Sequence, residues 1–262
     1  MSLGFARRMW ALDCPSLTVD ATTLMYGLSG MLTIPMPSFL IEHPKGLVLF
    51  DTGIAPEAID DPVALYGQEL ADGLGITGGE DQKLDRQIEA LGYKLEDVTH
   101  VITSHLHFDH SGALHQFPDA KHYVGAGELP FAHWPAPIGA FCYMPDQLAR
   151  IRNFDWHEVP GIDVDLFGDG SLVILYMPGH TPGELSLKVR LASRTFILTG
   201  DAVHLRAALE QEYHFPIDWD TREALVSLRR IKRLQESEDA SVWITHDPDD
   251  WAEYKHAPAC FE

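Results

Sequence analysis

Three histidines and an aspartate fall within six residues, in the run Ser104-His105-Leu106-His107-Phe108-Asp109-His110-Ser111-Gly112. Protonated imidazoles placed so close would repel one another. Their crowding makes chemical sense when a cation holds the rings neutral and draws them together, because imidazole nitrogens and carboxylate oxygens are good ligands for zinc and similar metals. The spacing also has a geometry. His105 and His107 alternate, so at a strand end they point to one side. Asp109 and His110 fall in the turn that follows, where they address a second position a short distance away. The chemistry such a cluster offers is hydrolysis, with bound cations lowering the pKa of a water and polarising the oxygen of the bond to be broken.

The elements that must position these residues are strands with interspersed helices. SFLIEH and GLVLFDTG read as two strands joined by the turn at His43-Pro44-Lys45-Gly46, and THVITSH, KHYVGA, SLVILYMPGH, ELSLKVRL, RTFILTGDAV and SVWITHD follow. A helix is expected in DQKLDRQIEALGY, with Leu84, Ile88 and Leu91 on one face and Gly92 at its C-terminal end. A second begins at Asp220 with Glu223 three residues on, and carries Leu225, Leu228, Ile231 and Leu234 on one face. Several strands are nearly continuous apolar runs, which implies an α/β domain whose sheets are covered on both faces. Polar, metal-competent residues end many of them: Asp51, His105, His180, Asp201 and His246. Strand ends along one edge of a layered α/β fold are where sites are usually built.

With no internal repeat, low-complexity tract or long linker, residues 1–262 read as a single domain. The formal net charge of −20 argues against nucleic acid and anionic membranes as partners, since both need a basic surface. Cys14, Cys142 and Cys260 are odd in number and widely spaced, so they suggest free thiols in a reducing, cytoplasmic setting. The first residues lack the apolar run of a signal peptide, and Met1, Ser2 and Leu3 are set aside as an expression remnant. Segments 56–80 and 125–157 fit no regular strand plan. The second is rich in aromatics and prolines (Phe131, Trp134, Phe141, Tyr143 and Trp156 among them), and reads either as a cover over the site or as ordinary surface packing.

HLHFDH resembles the H-x-H-x-D-H signature of the metallo-β-lactamase superfamily, and further elements of that family follow in its order. Asp51-Thr52-Gly53 resembles its early Asp-x-Gly element, Pro178-Gly179-His180-Thr181 its P-G-H-T turn, Thr199-Gly200-Asp201 its bridging carboxylate, and Thr245-His246-Asp247 its last histidine. The resemblance spans roughly residues 35 to 250. It implies an αββα sandwich, two mixed β-sheets flanked by helices. It also implies two divalent cations: one held by His105, His107 and His180, a second by Asp109, His110 and His246, with Asp201 bridging. Zinc is the default for such a donor set, with iron, manganese or cobalt as alternatives. Asp51 is expected to orient ligand histidines rather than bind metal, and Asp109 to shuttle protons as well as ligate.

Within the superfamily the chain looks most like the N-acyl homoserine lactonases, in the phrases PSFLIEHPKGLVLFDTG, SHLHFDHSG and THD. The resemblance implies a small-molecule lactone as substrate, and a homodimer is in keeping with it. Another lactone, a phosphotriester or a thioester would suit the same centre, although the basic C-terminal region of glyoxalase II-like thioesterases is absent. A non-catalytic electron-transfer role would call for a flavodoxin-type partner domain, for which no length remains. One position departs from the lactonase pattern. These enzymes commonly have a tyrosine three residues after the bridging aspartate, whereas this chain has His204. A ring N–H could replace the phenol as a donor to substrate, or the ring could point away. His43, His115, His122 and His256 are expected at the surface or in turns, and His100 in packing. His133, His157 and His214 lie near the presumed cover. Phe108 either flanks the pocket or packs, and Met and aromatic side chains in 131–144 either line an acyl groove or form plain core.

Overall fold

Strands that read as unbroken apolar runs must bury both faces, and alternation along them decides which side chain enters which core. The computed structural model describes residues 4–262; Met1, Ser2 and Leu3 lie outside the described residues. Its strands are β1 (Arg8–Leu12), β2 (Leu17–Asp20), β3 (Met31–Ile34), β4 (Ser38–His43), β5 (Gly46–Phe50), β6 (Val98–Ile102), β7 (Lys121–Gly125), β8 (Asp155–Val159), β9 (Val164–Asp165), β10 (Leu172–Tyr176), β11 (Leu185–Arg190), β12 (Thr195–Leu198) and β13 (Ala240–Trp243). One sheet has the order β1-β4-β5-β6-β7-β8 and the other β13-β12-β11-β10-β9, while β2 and β3 form a separate hairpin. Both large sheets mix parallel and antiparallel pairs.

Even and odd positions part company as the period of two requires. Phe39, Ile41, Val48 and Phe50 enter the core between the sheets, where they meet Leu172, Ile174, Leu187, Phe196 and Trp243. Their neighbours Leu40, Leu47 and Leu49 face the other way, onto Leu84 and Ile88 of helix Leu84–Ala90. On the far side, Leu175, Ile197 and Val242 pack against Leu228 and Ile231 of helix Thr221–Glu238. Helix, sheet, sheet, helix is the layering expected from the resemblance. The long helix starts where its sequence says it should: Asp220 Oδ1 accepts from the backbone N–H groups of Arg222 (2.9 Å) and Glu223 (3.1 Å). Its buried stripe is centred on Ala224, Leu228 and Ile231, with Leu225 and Leu234 half-buried at its margins. Among the described residues no helix is long and apolar enough to cross a membrane.

All eight strands expected from apolar runs form. β1, the β2–β3 hairpin, β8 and β9 lie outside the expected runs; β8 (DWHEV) is a polar edge strand and β9 is only two residues long. Segment 56–80 folds into short helices at Glu57–Asp60, Pro62–Tyr66 and Gln68–Leu74.

Two histidines expected at the surface or in turns need correction. His43 flanks its turn but is buried, its ring stacked 4.2 Å from that of Phe167 and its Nε2 3.1 Å from Ser171 Oγ. His122 is fully buried in β7, on the same side as Ala120 and Val124, with Nε2 2.9 Å from the carbonyl oxygen of Phe117. Burial pushes the His122 pKa down to about 4. A histidine depressed on folding stays neutral while the unfolded chain takes up a proton below its ordinary value near ~6.5, so its contribution is full above that pH and is lost as pH falls through the window down to the folded value. The unfolding free energy of the wild type should therefore drop more between about pH 7 and pH 5 than that of His122→Gln, measured by urea denaturation of each. Equal drops would show that this ring is not held neutral.

Candidate metal centre

Five strands deliver their C-terminal ends to one edge of the sandwich. β5 and β6 are parallel in the first sheet. In the second, β10 and β12 both oppose β11, and β13 runs with β12, so these three also point one way. Asp51 follows β5, His105 follows β6, His180 follows β10, Asp201 follows β12 and His246 follows β13. β6 ends at Ile102, and the chain bends at Ser104 before reaching His105; His107 is extended (φ −65°, ψ 150°) and leads into the short helix Phe108–Ser111, which carries Asp109 and His110.

Two glycines make the convergence sterically feasible. Gly179 has φ +146°, and a Cβ there would lie 2.3 Å from Ala224 Cα, so a larger residue would push the His180 turn off the long helix. At Gly200 (φ +55°) a Cβ would fall 2.5 Å from Glu184 Oε1.

Two groups of donor atoms result, each with its atoms within 4.8 Å of one another: His105, His107, His180 and Asp201 in one, Asp109, His110 and His246 in the other. All seven residues expected from the sequence are thus brought together. His107 Nδ1 and His180 Nε2 are 3.1 Å apart, and His110 Nε2 and His246 Nε2 are 3.2 Å apart. Ligands about 2.0–2.1 Å from a tetrahedral zinc stand roughly 3.3 Å from each other, so these separations suit a shared cation. Asp201 sits between the groups, with Oδ2 3.4 Å from His180 Nε2, and Oδ1 3.1 Å from His110 Nε2 and 3.0 Å from His246 Nε2. The buried Nε2 atom of His105, which points toward Asp201, has no hydrogen-bond partner, a costly state for a polar atom unless a further group is bound there.

Protein charges alone already favour cation binding. Burial, reinforced by neighbouring histidines, pushes the pKa of His105 and of His107 well down and keeps their ring lone pairs free. Burial works the same way on His110, but the carboxylates of Asp201, Asp109 and Asp51 outweigh it and push that pKa well up. Burial opposes ionisation of Asp201, yet His110, His204 and His246 overcome it and hold that carboxyl well below its ordinary range. The negative potential that raises His110 is the one a metal ion would feel.

Four of these histidines, all but His107, are gripped from behind. Asp51 adopts a left-handed backbone (φ 57°) and accepts from Ser104 N–H (2.6 Å) and Ser104 Oγ (2.9 Å), while its Oδ2 meets His110 Nδ1 at 2.9 Å. That is the orienting role expected of it. Three other anchors were not visible in the sequence. Glu184 is completely buried, with Oε2 3.1 Å from His105 Nδ1, and its Oε1 accepts from Asp201 N–H at 2.8 Å. Asp218 faces His180 Nδ1 at 3.2 Å. The carbonyl oxygen of Pro35 lies 2.8 Å from His246 Nδ1. The only hint of Glu184 was an acidic residue leading an apolar strand three residues after the P-G-H-T turn; Asp218 carries no signal of its own.

The centre forms the floor of a cavity of about 590 Å³, onto which His107, Asp109, His180, Asp201, His204 and His246 open. Its walls are apolar: Leu17, Val19, Leu24 and Ile34 from the hairpin region, Leu70 and Leu74 from helix Gln68–Leu74, then Phe141, Cys142, Phe215 and Ile217. The expected cover at 125–157 thus supplies only part of the wall. Phe108 does both things suggested for it, lining the cavity and packing on Tyr66 at 5.1 Å. His204 faces the site: it is buried, stacked 3.7 Å from Phe215, with Nε2 2.9 Å from Asp201 Oδ2. His133, His157 and His214 do not line this cavity.

Known proteins share this chain's sequence pattern and fold. The model of the metallo-beta-lactamase superfamily matches residues 36–238. The N-acyl homoserine lactonase AttM of Rhizobium radiobacter is 36% identical over 229 residues, 86% of each chain. An N-acyl homoserine lactonase of Bacillus cereus is 30% identical over 224 residues, 83% of each. A solved N-acyl homoserine lactone hydrolase, with the product N-hexanoyl-L-homoserine bound at its catalytic metal center, superposes with a TM-score of 0.85 at 23% identity, covering 98% of this chain and 100% of that one. AidC, a dizinc quorum-quenching lactonase in complex with a product, gives a TM-score of 0.69 at 16% identity, covering 99% and 97%. With its ordered ligand set, its four layers and these relatives, the chain belongs to the metallo-beta-lactamase superfamily, in the family of the N-acyl homoserine lactonases.

Proposed function

We propose that this protein is a dinuclear metal-dependent hydrolase that opens the ring of N-acyl homoserine lactones. The observation that carries the reading is that two metal-competent clusters, joined at Asp201, form the polar floor of one apolar cavity. A lactone head with an acyl tail has that same division. We assign His105, His107 and His180 to one cation, Asp109, His110 and His246 to the other, and Asp201 to both, with zinc as the metal because the donors are mainly imidazole. Cations bound there would lower the pKa of water and polarise the lactone carbonyl. The whole chain acts in this reading as a single domain, in the cytoplasm, where its three cysteines stay free thiols.

The chain's own residues supply the rest. Hydrolysis adds water across the ring ester: the acyl carbon–oxygen bond breaks, a carboxylate and a hydroxyl form, and one proton leaves to solvent. Asp109 is the most exposed acid of the set, at 14%, and it lines the cavity. Its carboxylate takes the proton of the attacking water and returns it to the departing ring oxygen. His204, stacked on Phe215 and lining the cavity beside Asp201, is the residue we assign to donate a ring N–H to the substrate's oxygen. The apolar walls hold the acyl chain away from water.

Metal-loaded protein mixed with short- and long-chain N-acyl homoserine lactones should release acid rapidly, and chelated protein should not. An absence of acid release from protein of confirmed metal content would move the substrate to another lactone, a phosphotriester or a thioester. Asp201→Asn should lower metal content toward one ion per chain by elemental analysis; two tightly held ions would refute its shared role. His204→Ala should cut turnover on the order of 10²-fold at unchanged metal content, the usual cost of losing one such donor. Unaltered kinetics would make His204 a bystander.

A further inference from the structure

Two of the residues assigned to the second cation, Asp201 and His246, sit on loops that leave neighbouring parallel strands. Residues 199–205 follow β12 and carry Asp201; residues 244–247 follow β13 and carry His246. The strands pair up to Leu198 and Trp243, and one more backbone bond, Thr199 N–H to the Trp243 carbonyl at 3.1 Å, closes the ladder. Beyond that point side chains join the loops.

Arg206 is the centre of that junction. Its backbone N–H donates to Asp247 Oδ2 at 2.7 Å. Its guanidinium grips Asp250 with two nitrogens, Nε to Oδ1 at 3.0 Å and Nη2 to Oδ2, and Nη2 also donates to the Val242 carbonyl at 2.8 Å. Asp250 is 4% exposed and accepts in addition from Ile244 N–H at 2.8 Å. Asp247, the residue after His246, accepts through Oδ1 from Asp249 and Asp250 N–H, both at 3.0 Å, and so starts helix Pro248–Glu253. A forked, charge-assisted pair of this kind fixes direction as well as distance. None of these groups contacts the anchors of the other cluster. There, Glu184 holds Asp201 N–H and faces His105, while Asp218 faces His180.

We propose that Arg206, Asp250 and Asp247 form a positioning clamp that keeps the His246 loop against the Asp201 loop and thereby governs retention of the second cation. The inference rests on the dinuclear reading above. It makes these three positioning residues: they act through His246 and touch neither cation nor substrate. Because Glu184 keeps Asp201 turned toward His105, His107 and His180, loosening the clamp affects one cation far more than the other.

The test is a stepwise titration of the chelator-stripped full chain with cobalt(II), followed by its visible absorption, alongside the melting temperature of the metal-free protein. Arg206→Ala and Asp250→Asn should weaken the second binding step roughly 10- to 100-fold while moving the first less than about threefold, the range typical when a group orienting a ligand is lost. Arg206→Lys keeps the charge but not the fork, and should fall between wild type and Arg206→Ala. Should Arg206→Ala fail to fold, Arg206→Lys and Asp250→Asn give the same comparison. A lowered melting temperature with both steps weakened equally would reduce the clamp to a structural tie and overturn the proposal, as would two steps at wild-type strength. A wild-type chain that takes up only one cobalt ion would instead refute the dinuclear reading itself.

Discussion

Asp201 is a buried carboxylate with five imidazoles around it. Its oxygens lie 3.9 Å from His105 Nε2, 3.4 Å from His180 Nε2, 2.9 Å from His204 Nε2, 3.1 Å from His110 Nε2 and 3.0 Å from His246 Nε2. An ionised group out of water is tolerated only when its surroundings replace the lost hydration. Here they do so from every side, and the requirement propagates outward. The imidazoles must be held at fixed angles, so each has a fixed neighbour of its own: Asp51 behind His110, Glu184 behind His105, Asp218 behind His180, the Pro35 carbonyl behind His246 and the stacked ring of Phe215 against His204. Those neighbours must in turn sit on elements that do not move, which is the task of two sheets packed face to face.

The layered fold also explains how a strongly polar floor and an apolar chamber coexist. Strand ends bring charged and metal-competent groups to one edge, while the walls come from parts of the chain that lie outside the two large sheets. The β2–β3 hairpin, helix Gln68–Leu74, and the segments around 141–142 and 215–217 close over that edge. Scaffold and chamber therefore draw on different segments. Residues on the hairpin or the helix can vary in size without disturbing strand register, whereas a change at Gly179 or Gly200 displaces a ligand turn.

How much of this was legible from residues alone follows from the kind of signal each feature leaves. His105, His107, Asp109 and His110 announce themselves by density, and His180, Asp201 and His246 by the short motifs around them. The eight strands built from apolar runs and the two helices with apolar stripes show their periods plainly. Glu184 and Asp218 leave no such mark, since each is a lone acid whose role exists only once another strand end comes near it. His122 misleads for a related reason: one histidine in a β run is silent about which face its strand will bury. The chamber was the least readable part. Its walls are short pieces with too few turns or pairs to show periodicity, and the aromatic segment at 131–144 drew attention that belonged equally to residues 17–34 and 68–74.

Four of the seven donors sit side by side in sequence, while His246 stands 136 positions beyond His110. Even as a random coil, the chain therefore contains a compact chelating peptide between His105 and His110. Ions that bind both folded and unfolded chains stabilise the fold only by the difference between the two affinities. The gain from metal in resistance to denaturation is accordingly smaller than the tightness of the native centre alone would suggest. Among the described residues, the donors that widen the difference are the distant ones, which the unfolded chain brings near only by closing long loops.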